Sequence, residues 1–309
     1  ATMRFRHFDE REQDFSNRLH MVRFGEWNDM IFFQTGAAYR PLPWFSFGVS
    51  LKTNFLLRSR TTTSFVGAGE VTQNGAADFQ IRFRPQVGLA FRPLDWLHLG
   101  ITYRMESRLE GEFETRIVRE DGDGGVTVTT EKDEMTSMFQ PHEVALGIGV
   151  ERGPWFVEAA GTWAHWSAFR GVQRQPPEAE GGRFAWRETA KVALSGGWAY
   201  APWAEALLGV AFHQSPVPGQ VGRTNYVDGH LLGLTAGHAF RFELLGLPME
   251  VGLTFQAWHL FEETVRKDPA LILDEDPESP GLQTANPGYP GYRVGGWTFV
   301  AGASLRLEM

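Results

Sequence analysis

Hydrophobic and polar residues alternate along most of this chain. In residues 97–106, Leu, Leu, Ile, Tyr and Met interleave with His, Gly, Thr, Arg and Glu. The same alternation recurs in residues 45–52, 82–92, 143–151 and 297–308. A period of two is typical of a β-strand whose two faces meet different surroundings. The pattern therefore predicts an all-β protein built from antiparallel strands.

Eleven alternating segments can be delimited, and most are far longer than the roughly five or six residues usual in soluble strands. They span residues 28–41, 45–64, 77–93, 97–118, 126–152, 155–172, 184–202, 203–217, 224–243, 247–266 and 292–309. A closed antiparallel membrane barrel needs an even number of strands. We therefore expect a twelfth strand within residues 1–27, over 2–8 or 15–24, with the rest of that stretch forming an external loop.

The connections between these segments are alternately short and long. The short ones are proline turns at residues 41–44, 93–96, 153–155, 202–203 and 247–248, and the long polar ones include residues 175–182 and 267–291. Outer-membrane barrels have short periplasmic turns and longer external loops. The sequence thus predicts one antiparallel transmembrane β-barrel of about 12 strands over residues 1–309.

Four of the short turns carry a tryptophan: Trp44, Trp96, Trp155 and Trp203. An indole prefers the level of the lipid headgroups, so these residues are expected to form an interface girdle. The competing interpretation is a soluble β-sandwich whose apolar face is its core. Strand length, the one-sided tryptophans and the Gly, Ala and Ser residues on the polar face favour the barrel.

Composition removes several functional classes. The 309 residues include 37 acidic and 29 basic side chains, a net charge of −8, and no cysteine. A net acidic chain without a basic block does not suit nucleic acid, so no nucleic-acid partner is expected. The absence of cysteine excludes disulfides, Cys-type zinc sites and thiol catalysis. The longest apolar runs are also far shorter than the roughly 20 residues of a membrane helix.

Several motifs, taken in their order along the chain, resemble the FadL-type family of outer-membrane transporters for hydrophobic compounds. They are the repeated hairpin formula at residues 36–41 and 87–93, the Ser-Pro-Val-Pro run at 215–218, and Thr-Asn-Tyr-Val-Asp at 224–228. The resemblance covers most of residues 28–309. It implies a location in the bacterial outer membrane and passive uptake of hydrophobic small molecules such as long-chain fatty acids.

That family typically has about fourteen strands and an N-terminal hatch with an Asn-Pro-Ala motif that fills the lumen. Residues 1–27 contain neither this motif nor room for a hatch. The chain is therefore expected to be either a shortened relative without a hatch or part of a longer protein.

Polar residues on the inward face supply the candidate ligand site. Lys52, Arg84 and Arg104 are expected to hold the carboxylate of an amphipathic ligand, with His213 and Trp258 also in the lumen and Trp258 contacting the apolar tail. The alternative is a network of ion pairs that only braces the barrel. Both interpretations are open at the level of sequence.

No catalytic or metal-binding motif is present. The chain has no Gly-x-Ser-x-Gly nucleophile motif and no His-x-x-x-His pair, so neither an enzyme activity nor a cofactor or metal is expected. The expected partners are outer-membrane lipid and a hydrophobic small molecule. The alternative function is a structural or adaptor barrel whose acidic loops, at residues 131–134 and 268–278, dock a protein.

Overall fold

The computed structural model describes residues 20–21, 31–66, 70–120, 126–169, 186–222, 224–244, 247–269 and 288–307. These ranges contain fifteen β-strands and one 3-10 turn at Trp166–Ala168. Among the same residues, no helix is long and apolar enough to cross a bilayer.

The strands are β1 (His20–Met21), β2 (Ile31–Leu42), β3 (Phe45–Val66), β4 (Glu70–Leu94), β5 (Leu97–Arg104), β6 (Ser107–Glu120), β7 (Val126–Gln140), β8 (Glu143–Arg152), β9 (Trp155–Ala164), β10 (Thr189–Ala201), β11 (Ala204–His213), β12 (Tyr226–Val227), β13 (Leu231–Leu244), β14 (Leu247–Arg266) and β15 (Gly291–Leu307).

Eleven of these strands form one continuous antiparallel wall. Its order is β2-β3-β4-β5-β8-β9-β10-β11-β13-β14-β15. Each wall strand corresponds to one of the eleven predicted segments, in the same order. Four tight turns and the two-residue connection between β13 and β14 join strands at one end of the wall, and the other connections lie at the opposite end. The tight turn after β8 contains Gly153 with φ 62°, a conformation that favours glycine. The predicted antiparallel all-β class is confirmed.

Three predicted segments are wrong in their extent, because each contains two strands. Segment 224–243 contains the two-residue strand β12 as well as β13. Segment 97–118 divides into β5 and β6, and segment 126–152 divides into β7 and β8 at Pro141, which has no N–H for the ladder. The β6–β7 hairpin leaves the wall there, so β5 pairs directly with β8. Beyond the wall, β6 runs parallel to β3 over residues 114–117 and 62–65.

The structure describes all of one acidic loop expected to dock a partner and only the start of the other. Residues 131–134 do not form a loop, because they lie within β7 and pair with β6. Of residues 268–278, only 268 and 269 are described. The rest of that loop lies outside the described residues.

The two faces of the wall differ sharply in chemistry. One face exposes large apolar side chains on nearly every strand, for example Leu208 at 69% and Phe299 at 63% exposure. The other face carries mainly small or polar residues at the alternating positions, with a few large apolar ones such as Phe156 and Trp258. Soluble proteins rarely expose a continuous apolar surface of this size. The apolar face is therefore the outer, lipid-facing surface of a transmembrane barrel, and the small and polar face lines the lumen.

The two edges of the described wall are β2 and β15, and both strands run toward the tight-turn end. Antiparallel closure requires a further strand of opposite direction between them. The twelfth strand expected at 2–8 or 15–24 falls almost entirely outside the described residues. Within 1–27, the structure describes His20 and Met21, which pair in parallel with Tyr226 and Val227.

A compact aromatic cluster lies at the end of the wall opposite the tight turns. It consists of Phe139, Phe169, Trp186, Val217 and Tyr226, all buried, with Trp166 packed against it. Phe169 and Trp186 meet edge to face, with ring centroids 4.6 Å apart. Segments that join different wall strands are thereby held together at the external end.

We expect the substitution Leu234→Arg to lower the free energy of unfolding by about 2–4 kcal/mol, because Leu234 is exposed on the lipid-facing surface of β13. The matched variant is Thr235→Arg, one residue along the same strand but facing the lumen. It should cost much less. Urea unfolding of protein refolded into liposomes, followed by tryptophan fluorescence, measures both. Equal losses would contradict the assignment of the two faces.

Candidate functional site

The lumenal face contains a continuous row of small residues. Strand register places one Gly, Ala or Ser beside the next across eight neighbouring strands: Ser46, Ala90, Gly100, Gly147, Ala160, Ala193, Ala211 and Gly233. The row ends at Trp258 of β14, which is the register partner of Gly233. No long side chain extends from these eight positions into the lumen.

A groove of about 380 Å³ lies over the first four wall strands. Its lumen-facing lining includes Gly36, Gly48, Ser50, Gly88 and Thr102. These are again small residues, so the space is formed by the backbone of the wall rather than by a gap between side chains.

Immediately beside the small-residue row, one carboxylate accepts contacts from three cations. Glu143, at the start of β8, lies 3.3 Å from Arg84 Nη2, 3.4 Å from Arg104 Nη1 and 3.2 Å from Lys191 Nζ. The Glu143 side chain is only 12% exposed. Charge-assisted contacts of this kind are strong when water is largely excluded.

Arg84 serves a structural purpose in this group. Besides Glu143, its guanidinium donates to the carbonyl oxygens of Met105 and Pro141, each at 2.8 Å. These carbonyls lie where β5 ends and where β8 is about to begin, the two places at which the predicted segments break. Arg84 therefore occupies the position where the β6–β7 hairpin leaves the wall, and its donors are satisfied by protein acceptors.

The remaining cations are more accessible. The side chains of Arg104 and Lys191 are 33% and 40% exposed, and each contacts Glu143. Lys52 is the register partner of Arg84, and its Nζ lies 4.2 Å from the centre of the Phe32 ring. We call these residues, Lys52, Arg84, Arg104, Glu143 and Lys191, the cationic belt, since four positive charges surround one negative charge.

His213 and Trp258 form a second group on the same face. Lys191 is the register partner of His213, which connects this group to the belt. The His213 and Trp258 rings are 5.1 Å apart, and Trp258 Nε1 donates to Gln256 Oε1 at 3.1 Å. The indole is thus held by the hydrogen bond from its nitrogen to Gln256 and by packing against the imidazole of His213.

All five predicted lumenal residues therefore lie on the inward face, in two adjoining groups. Arg84 and Arg104 share Glu143, Lys52 is beside Arg84, and His213 contacts Trp258. The sequence prediction missed Glu143 as their common partner. Alternation assigns Glu143 to the inward face, but only the register of β5 with β8 brings it to Arg104.

The four predicted girdle residues lie at or beside the tight turns and are about half exposed. Trp155 stacks on Trp198, with centroids 5.0 Å apart and an interplanar angle of 3°. Trp203 stacks on Phe240 at 6.3 Å. Aromatic rings therefore cover the outer surface at this end of the wall across several neighbouring strands.

Comparison with solved structures finds similar folds. A FadL homologue of Pseudomonas aeruginosa has a TM-score of 0.54 at 12% identity, with 89% of this chain and 66% of that chain covered. The toluene transporter TodX of Pseudomonas putida has a TM-score of 0.48 at 16% identity, covering 77% and 64%. The toluene transporter TbuX of Ralstonia pickettii has a TM-score of 0.45 at 11% identity, covering 76% and 64%.

This chain has the fold of the FadL-type barrels, as the resemblance predicted. It spans just under two thirds of the length of the Pseudomonas aeruginosa homologue. No family model and no curated protein matches the sequence.

We expect Glu143→Gln to lower the free energy of unfolding by about 3 kcal/mol, because it leaves three neighbouring cations without their shared counter-charge. Glu250→Gln is the matched control. Glu250 pairs with Arg241 near the tight turns, where both side chains are more exposed, and the loss should stay below about 1 kcal/mol. Urea titrations of both variants check this, and a smaller loss for Glu143→Gln than for the control would contradict it.

Proposed function

We propose that this chain is a single-domain barrel of the bacterial outer membrane that allows passive uptake of hydrophobic small molecules carrying a carboxylate, such as long-chain fatty acids. The observation that carries the proposal is the position of the cationic belt directly beside a wall of Gly, Ala and Ser. One part of this lumen suits an anionic head, and the adjoining part suits a slender apolar tail.

The head would bind to the accessible cations of the belt. Arg104 and Lys191 both point toward Glu143 and both remain partly exposed, so a ligand carboxylate can contact them from the lumen. Lys52 adds a third cation nearby. Arg84 acts mainly as a brace, because its donors are already satisfied by two carbonyls and Glu143. The belt keeps a positive balance after Glu143 is counted, and this balance favours an anion.

The tail would lie along the row of small residues. Its methylene groups would contact backbone and methyl groups there, together with the indole of Trp258 and the ring of His213. Removal of apolar surface from water contributes roughly 0.8 kcal/mol per methylene when burial is complete. Partial contact along an open wall gives less, which permits the ligand to leave again, as a passive route requires.

Lipid would surround the barrel. The exposed apolar surface on wall strands such as β11 and β15 fits the acyl chains, and Trp44, Trp96, Trp155 and Trp203 fit the level of the headgroups at the tight-turn end. Under this proposal the barrel binds and releases its ligand unchanged, so the function includes no catalytic step.

Lys191→Met should reduce the initial rate of dodecanoate uptake about tenfold, since one charge-assisted contact to the carboxylate is lost. Uptake of 1-dodecanol, which has the same tail and no charge, should be unchanged. The experiment uses radiolabelled compounds and a Gram-negative host that lacks its own fatty-acid transporter. Arg104→Met is expected to behave in the same way.

The matched control is Arg293→Met, which removes a cation from an exposed pair with Glu262, outside the belt. It should leave both rates unaltered. Equal loss of dodecanoate and dodecanol uptake in Lys191→Met would refute the role of the belt in binding the head. No uptake of either compound by the unaltered protein, relative to cells without it, would refute the transport function.

A further inference from the structure

The indole of Trp258 lies flat against the lumenal wall, directly over Gly233. A Cβ atom built on Gly233 would be 2.5 Å from indole Cζ3 and 2.7 Å from Cε3 and Cη2. Real Cβ atoms do not approach other heavy atoms so closely. Glycine at position 233 is therefore required for the indole to reach this position.

Two contacts fix the orientation of the ring. Gln256, two residues earlier on β14 and on the same face, accepts the indole N–H at 3.1 Å. His213, from the strand beyond β13, packs its ring 5.1 Å away. An indole held by a hydrogen bond at its nitrogen and by packing against the tilted imidazole stays along the wall instead of projecting across the lumen.

A second aromatic ring, nearer the tight turns, also lies over a glycine of the neighbouring strand. Phe156 of β9 lies over Gly197 of β10, where an added Cβ would overlap the phenyl ring. By contrast, a Cβ on Gly147 would have Ala159 O as its nearest neighbour, at 3.9 Å. Gly147 belongs to the same small-residue row as Gly233, so the two glycines differ only in whether an aromatic ring covers them.

We infer that Trp258 is a specificity-determining residue that limits the cross-section of the ligands this lumen admits. Gly233 allows the indole to lie along the wall, which is the orientation that leaves the lumen widest. This inference rests on the proposed transport function. A straight acyl chain is narrow enough to pass along a flat indole while in contact with it. A ligand with a rigid ring system is wide, so it needs all the lumen width that remains when the indole lies flat. Uptake of such ligands is therefore the most sensitive to the orientation of Trp258.

Gly233→Ala is the first test, because the added methyl group forces the indole away from β13 and into the lumen. Uptake of dodecanoate and of adamantane-1-carboxylate is measured in the same transporter-deficient host. The two compounds share a carboxylate and differ in cross-section. The ratio of adamantane-carboxylate to dodecanoate uptake should fall about tenfold. Gly209→Ala is the matched control. Gly209 lies on the lumenal face of β11 outside the small-residue row, and an added Cβ would meet only ordinary contacts at 3.6–3.7 Å, so the ratio should be unchanged.

Trp258→Ala keeps the test decisive if Gly233→Ala does not assemble, as judged by its heat-modifiable migration on gels. Removing the indole should raise the ratio above that of the unaltered protein. The double variant Gly233→Ala/Trp258→Ala should match Trp258→Ala, because the added methyl group then has nothing to displace.

The possible results distinguish the role of Trp258 from the proposed transport function. If the unaltered protein takes up dodecanoate but an assembled Gly233→Ala and Trp258→Ala both leave the ratio unchanged, the role of Trp258 is wrong and the transport function stands. If the unaltered protein takes up neither compound, the transport function is wrong. A lower ratio in Gly209→Ala equal to that in Gly233→Ala would also overturn the inference, since no indole lies against Gly209.

Discussion

The structure depends on the separation of two environments by a wall only one residue thick. Each strand must present apolar side chains to lipid and compatible side chains to the lumen, while its backbone donors and acceptors are satisfied by the neighbouring strands. This requirement explains why the alternation persists over so much of the chain. It also means that a charged side chain on the wall can only point inward, and that its partners must come from the same inner surface.

The cationic belt follows from that requirement. Arg84 is deeply buried, and its guanidinium is satisfied by the carbonyls exposed where the β6–β7 hairpin leaves the wall and by Glu143. The break in the β-ladder thus exposes carbonyl oxygens, and the guanidinium of Arg84 donates hydrogen bonds to them. Arg84 and Glu143 contact each other, and Arg104 and Lys191 are the more exposed charges to which the proposed function assigns the ligand. The brace and the proposed binding site are therefore two parts of one cluster.

Much of the fold could be predicted because alternation and tight turns are local properties. All eleven wall strands correspond to predicted segments, and the five lumenal candidates lie on the small and polar face of the wall. The strand breaks near Glu106 and Pro141 could not be read from the pattern, because apolar and polar residues continue on both sides of them. Glu143 was missed for a different reason. It is 59 residues from Arg84, and only the pairing of β5 with β8 brings the two together.

The glycines of the inward face show the same limit of sequence-based prediction for single residues. In the sequence, Gly147 and Gly233 are equivalent small residues on the inward face of long strands. In the folded wall, a Cβ on Gly147 would meet only Ala159 O at an ordinary distance, whereas Gly233 lies under the indole of Trp258. The difference comes from a side chain on a neighbouring strand, which contacts Gln256 and His213. The space beside a lumenal glycine thus depends on its partner across the strands, and this dependence is what the proposed role of Trp258 rests on.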